Sequence, residues 1–103
     1  MIRHIVLIRF RPEVTDAEVS AIFTAIPSLA QKLPGVLAFT SGRSESPEKM
    51  ERGHMHGFTI DFASWDALQT YADHSDHKVF GGELVSKAEG GIDGILVFDL
   101  PTN

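Results

Sequence analysis

Histidine and tyrosine are the side chains of this sequence whose types and placing could move a proton near neutral pH. Five histidines (His4, His54, His56, His74, His77) and the single tyrosine, Tyr71, gather in three short stretches of the chain. Imidazole gains and loses its proton near neutrality, and a histidine beside a hydrogen-bonding tyrosine over an apolar floor could serve acid-base chemistry. Each residue also has a structural role open to it. His4 or His56 could be a hydrogen-bonded core histidine, and Tyr71 a packed ring with its hydroxyl at the rim.

Metal binding is the other chemistry such residues suggest. His54 and His56 share a strand face at i, i+2, and His74 and His77 could share a helix face at i, i+3. With no cysteine and no carboxylate obviously aimed inward, that spacing is thin for a metal, and none is expected. No G-x-G-x-x-G, P-loop or G-x-S-x-G pattern occurs, so nucleotide cofactors and serine-hydrolase chemistry are not expected either.

The elements that must position these side chains follow from pattern. Residues 2–10 are rich in β-branched and aromatic types and end at Arg11-Pro12, which predicts a first strand. Thr15 with Glu18 forms a capping box, and Val19, Ile22, Phe23, Ile26, Leu29, Ala30 and Leu33 recur at helical spacing, predicting a helix over 16–33 with a kink at Pro27. Strands are predicted over 36–43 and 54–62, separated by a polar loop. Ser64 caps a second helix, residues 74–88 form a bend and a further helical segment, and 92–100 form a last strand before a Pro-Thr-Asn tail.

The order β-α-β-β-α-β predicts an α+β, ferredoxin-like domain over residues 1–103, with both helical layers on one face of an antiparallel sheet ordered 4-1-3-2. Strand alternation turns His4, Val6, Ile8 and Phe10, and His54, His56, Phe58, Ile60 and Phe62, toward the helices. Strands one and three are expected to run parallel, which would bring His4 and His56 to one end of the sheet, beside Tyr71, His74, His77 and the first helix from Ile26 on. The other sheet face is expected to carry Ile5, Leu7, Ile95 and Val97, an uncovered apolar patch that a second copy of the chain would bury.

Composition narrows the partners. A net charge of -5, with nine scattered Lys and Arg, argues against nucleic acid and against an anionic membrane surface. Residues 1–10 lack the apolar core of a signal peptide and no stretch approaches a membrane span, so a cytoplasmic location is expected.

The opening R-H-I-V-L-I-R-F, the L-P-G after the first helix and the Y-A-D-H-S-D-H-K-V-F-G stretch together resemble the stress-responsive dimeric α/β-barrel (Dabb) domain family, over nearly the whole chain. The resemblance implies a ferredoxin-like homodimer. It includes a cyclase that closes a linear polyketide by intramolecular aldol condensation without metal or cofactor. By that resemblance His77 would be the general base and Tyr71 its hydrogen-bonding partner. His4 and His56 would line the pocket with Phe23, Ile26 and Phe58, around a small apolar or polyketide-like ligand. The chain departs from the pattern at Ile26, where the cyclase has a tyrosine, and at Ser75, where the family usually has proline. Two other readings remain open: a binding protein whose pocket is closed by Phe23, Ile26, Leu29 and Phe58, and, by fold analogy alone, a cofactor-free or haem-dependent monooxygenase.

Overall fold

Four strands and three helices account for the chain in the computed structural model, which describes residues 1–102. The strands are β1 (Ile2–Ile8), β2 (Val36–Arg43), β3 (His56–Phe62) and β4 (Ile95–Pro101), and the helices are α1 (Asp16–Ala30), α2 (Trp65–Asp73) and α3 (Ser75–Lys87). A short 3-10 turn, Gly91–Gly94, leads into β4. The sheet order is β2-β3-β1-β4 with every neighbouring pair antiparallel, a ferredoxin-like arrangement as the order of elements requires.

Local signals act where the sequence places them. The Glu18 N–H donates to Thr15 Oγ1 and the Thr15 N–H donates back to Glu18 Oε1, both at 3.2 Å, so the capping box starts α1. The helix runs on through Pro27 and stops at Ala30, three residues before the predicted end, as the Lys32 and Leu33 N–H groups bond three residues back in a tightened turn. Gly35 then takes φ +84°, and a Cβ there would stand 2.6 Å from the Ala67 Cβ, so only glycine lets the chain pass this close under α2. The Ala67 N–H donates to Ser64 Oγ and starts α2.

Several element ends move. β1 stops at Ile8, and Phe10 makes only an isolated bridge to Ala88. β3 begins at His56, which leaves His54 in the preceding turn with its Nδ1 3.3 Å from the Glu51 carbonyl. β4 begins at Ile95 and extends through Pro101, taking in the start of the predicted tail; Asn103 lies outside the described residues.

Two relations between strands differ from expectation. β1 and β3 are antiparallel, with Ile8 opposite His56 and His4 opposite Ile60. A helical crossover preserves strand direction whereas the β2–β3 connection reverses it, so β3 must run against β1. β4 pairs with β1 so that Ile95 faces Ile8 and Val97 faces Val6. Directly opposed residues share a sheet face, so Ile95 and Val97 lie on the helix side. The outer face carries Leu96, Phe98 and Leu100 beside Leu7, Ile5 and Arg3.

The core lies between the helices and the inner sheet face, where Val6, Ile8, Phe58, Ile60 and Phe62 meet Val19, Ile22, Phe23, Ile26 and Leu29 of α1, Tyr71 of α2, and Phe80 and Leu84 of α3.

Candidate functional site

The helix layer leaves the inner face of β4 partly open, and Val97 stays 58% exposed although it points to that side. A cavity of about 480 Å³ fills the space between β1, β4, α2 and α3, walled by Val6, Phe58, Leu68, Phe80, Leu84 and Ile95. Four polar side chains, His4, Asp99, Tyr71 and His77, also line it.

Each arrives from a different element. His4 stands on β1 opposite Asp99 of β4, and its Nδ1 lies 2.5 Å from Asp99 Oδ1. A carboxylate only accepts, so the imidazole donates from Nδ1 and turns Nε2 to its other surroundings. The His4 ring lies edge-on to Phe62 at 6.0 Å and to Tyr71 at 5.9 Å between centroids. Tyr71, near the end of α2, and His77, in the first turn of α3, have ring centroids 4.6 Å apart, and Phe80 packs on both.

Tyr71 is only 1% exposed, so its ring is fully packed and its hydroxyl is not at a rim. That hydroxyl is buried without a hydrogen-bond partner, and His77 Nδ1 is buried without a well-aligned one. The two rings touch, but they are not hydrogen-bonded to each other. An unmet buried polar group costs about 1–3 kcal/mol, so these atoms offer hydrogen-bonding positions to whatever occupies the cavity, water included. Burial pushes the Tyr71 phenol up, which keeps it a proton donor. Burial also pushes His77 below the ordinary imidazole range; a backbone hydrogen bond with Ala72 opposes this, and the charges of His4 and Lys78 add to it. The net effect favours the neutral imidazole of His77.

Of the residues expected to form one site, His4, Phe58, Tyr71 and His77 come together. His56 and Phe23 do not. They line a separate surface hollow of about 370 Å³ with Arg43, Ser41, Asp16, Ser20 and Thr24. Antiparallel pairing places His56 opposite Ile8, four residues along β1 from His4, or about 13 Å at strand rise. Burial, then the charge of Arg43, pushes His56 below its ordinary range. Ile26 is wholly buried in the core and lines neither space. His74 lines neither space as well.

Asp99 is the site residue that sequence reasoning missed. A signal existed in the alternation Ile95, Val97, Asp99, which sets a carboxylate on the same face as two aliphatic residues. Using it required the β1–β4 register, because only that relation shows which face it is. Among the described residues, no group of three or more His, Asp and Glu side chains is placed to hold a metal ion, and no helix is long and apolar enough to cross a membrane.

Fold and site together define a ferredoxin-like domain with a histidine-tyrosine cavity on its helix side. The chain belongs to the stress responsive A/B barrel domain family (Dabb), whose model matches residues 2–101. Olivetolic acid cyclase of Cannabis sativa is 26% identical over 98 residues, which span 95% of this chain and 93% of that protein. A dimeric ferredoxin-like protein of unknown function from Jannaschia sp. CCS1 is 32% identical, with a TM-score of 0.91 and 98% of both chains covered. Hydroxynitrile lyase from Passiflora edulis has a TM-score of 0.84 over 99% of this chain and 93% of that one; at 20% identity this likeness concerns the fold alone.

Proposed function

We propose that the chain forms a homodimer through its outer sheet face and that each subunit binds a small amphipathic carbonyl compound and removes a proton from the carbon next to the carbonyl. The observation that carries the reading is the Tyr71 hydroxyl, buried without a hydrogen-bond partner, in ring contact with His77 on a mostly apolar cavity.

In this reading the Tyr71 O–H donates to the substrate carbonyl and His77 takes the proton from the adjacent carbon. The C–H bond breaks, its electron pair moves into the enolate, and the negative charge gathers on the oxygen held by Tyr71. The step itself needs no cofactor. His4, fixed by Asp99, offers a further hydrogen-bonding group to the far side of the substrate. Tyr71 and His77 are the catalytic residues, His4 and Phe58 line the pocket, and the apolar walls toward Leu84 and Ile92 receive a hydrocarbon chain. Similarity to olivetolic acid cyclase supports carbon-acid chemistry of this kind. A cavity of about 480 Å³ is far larger than a water site, which argues against a pocket closed by its own side chains.

Exchange of α-protons for deuterium in a medium-chain methyl ketone, followed by NMR in heavy water, tests the chemistry. The protein should accelerate exchange over buffer; His77→Gln should remove the acceleration and Tyr71→Phe should reduce it by at least roughly tenfold. Binding of the ketone without exchange would reduce the protein to a binding function.

The dimer is supported by the exposed outer-face residues Leu7, Leu96, Phe98 and Leu100, a contiguous apolar surface of the kind that marks association. It is also supported by similarity to a dimeric protein at 32% identity.

A further inference from the structure

His74 occupies the break between α2 and α3, three residues after Tyr71 and three before His77. Its backbone is extended there, at φ -66° and ψ 138°. Its N–H donates to the Tyr71 carbonyl at 3.2 Å, which closes α2, and its carbonyl accepts the Lys78 N–H at 3.2 Å, a first bond of α3. Its ring adds a third contact, as the Asp76 N–H donates to His74 Nδ1 at 3.0 Å. The imidazole thus caps α3, a task usually given to Ser, Thr, Asp or Asn. It can do so only with Nδ1 unprotonated and any ring proton on Nε2. The Asp76 carboxylate lies close to the ring as well, with its Oδ2 4.0 Å from Nδ1.

The capped turn is the one that carries His77. No hydrogen bond holds the His77 ring to Tyr71, so their edge-on contact at 4.6 Å, like the hydrogen bond of His77 with the Ala72 backbone, depends on where the first turn of α3 begins relative to the last turn of α2. We propose that His74 is a positioning residue: its ring, acting as the cap of α3, sets the placement of the His77 imidazole against Tyr71 and the cavity. The catalytic meaning of that placement rests on the function proposed above, whereas the placement itself can be measured without a substrate.

The test is a histidine-ring NMR titration of the full chain, with the His77 signals assigned by their loss in His77→Gln. In His74→Ala the first turn of α3 loses its cap and the His77 ring gains water. Its titration midpoint should rise toward the ordinary imidazole value of about 6.5. In His74→Asn, whose side-chain oxygen can accept the same N–H, the midpoint should stay at the wild-type value. If His74→Ala does not fold, His74→Gln replaces it, since its longer side chain carries the acceptor past the Asp76 N–H. An uncapped variant that loses thermal stability but keeps the wild-type midpoint would reduce His74 to a structural part, and failure of His74→Asn to preserve the midpoint would also overturn the proposal. Absence of deuterium exchange with the expected NMR shifts in place would sink the catalytic reading and leave the positioning role standing.

Discussion

His4 on β1 and Asp99 on β4 stand opposite each other in the strand pairing, and their side chains meet at 2.5 Å along one wall of the cavity. The contact ties the inner strand to the edge strand by a side-chain bond beyond the backbone ladder. It also fixes which nitrogen of a nearly buried imidazole carries the donated proton. Asp99→Ala leaves His4 Nδ1 without its partner and should lower unfolding free energy by about 1–3 kcal/mol, with Asp99→Asn costing less because its amide oxygen still accepts. Urea unfolding of the two variants beside the wild type measures both.

Stability should depend on pH through His77 and His56. Burial holds both below the ordinary imidazole range in the fold, while in the unfolded chain they titrate near about 6.5. Between the lowered values and about pH 6.5 the unfolded chain binds more protons. Their contribution is therefore fully present above about pH 6.5 and is lost as pH falls from there through the folded-state values. Urea midpoints measured from about pH 8 down to about pH 5 should fall, and the fall should flatten in His77→Gln and in His56→Gln.

The outer sheet face gives a direct test of assembly. Phe98 is 60% exposed and lies opposite Ile5, with Leu96 and Leu100 on the same face. Full burial of such a side chain contributes roughly 1.5–3 kcal/mol, so Phe98→Glu and Leu96→Glu should each convert a dimer into a monomer by light scattering at micromolar concentration. Val97→Glu, on the helix side, should leave the dimer intact and disturb the cavity instead. A wild-type chain that is already monomeric would end the dimer proposal.

Ser75 is the first residue of α3, and His74 before it has the extended backbone that a following proline demands. Proline at a first helical position forfeits no helix bond and restricts the unfolded chain. Ser75→Pro should therefore raise stability by about 0.4–1 kcal/mol, read as a higher melting temperature, with the His77 titration unchanged. A drop in melting temperature would show that the backbone at the α2–α3 break does not accommodate proline.

Much of this molecule was legible in short stretches of sequence. Thr15 with Glu18 starts α1, Ser64 starts α2, and the alternation of His4, Val6 and Ile8 against Ile5 and Leu7 gives β1 one buried and one open face. Such features depend on residues within a turn or a strand of one another, so local spacing determines them. The Tyr71 to His77 contact belongs here too, because a single residue, His74, separates their helices.

The relations between strands were decided by tertiary structure. The direction of β3 relative to β1 moved His56 away from His4 and into a hollow with Arg43. The register of β4 on β1 turned Ile95 and Val97 inward and Leu96 and Phe98 outward, and the same register delivered Asp99 to His4. Alternation divides a strand into two faces, but which face meets the helices depends on pairing with another strand far away in sequence, and a shift of one residue reverses the answer. The composition of the site followed from that pairing, while the side chains that could do chemistry were already marked by their type.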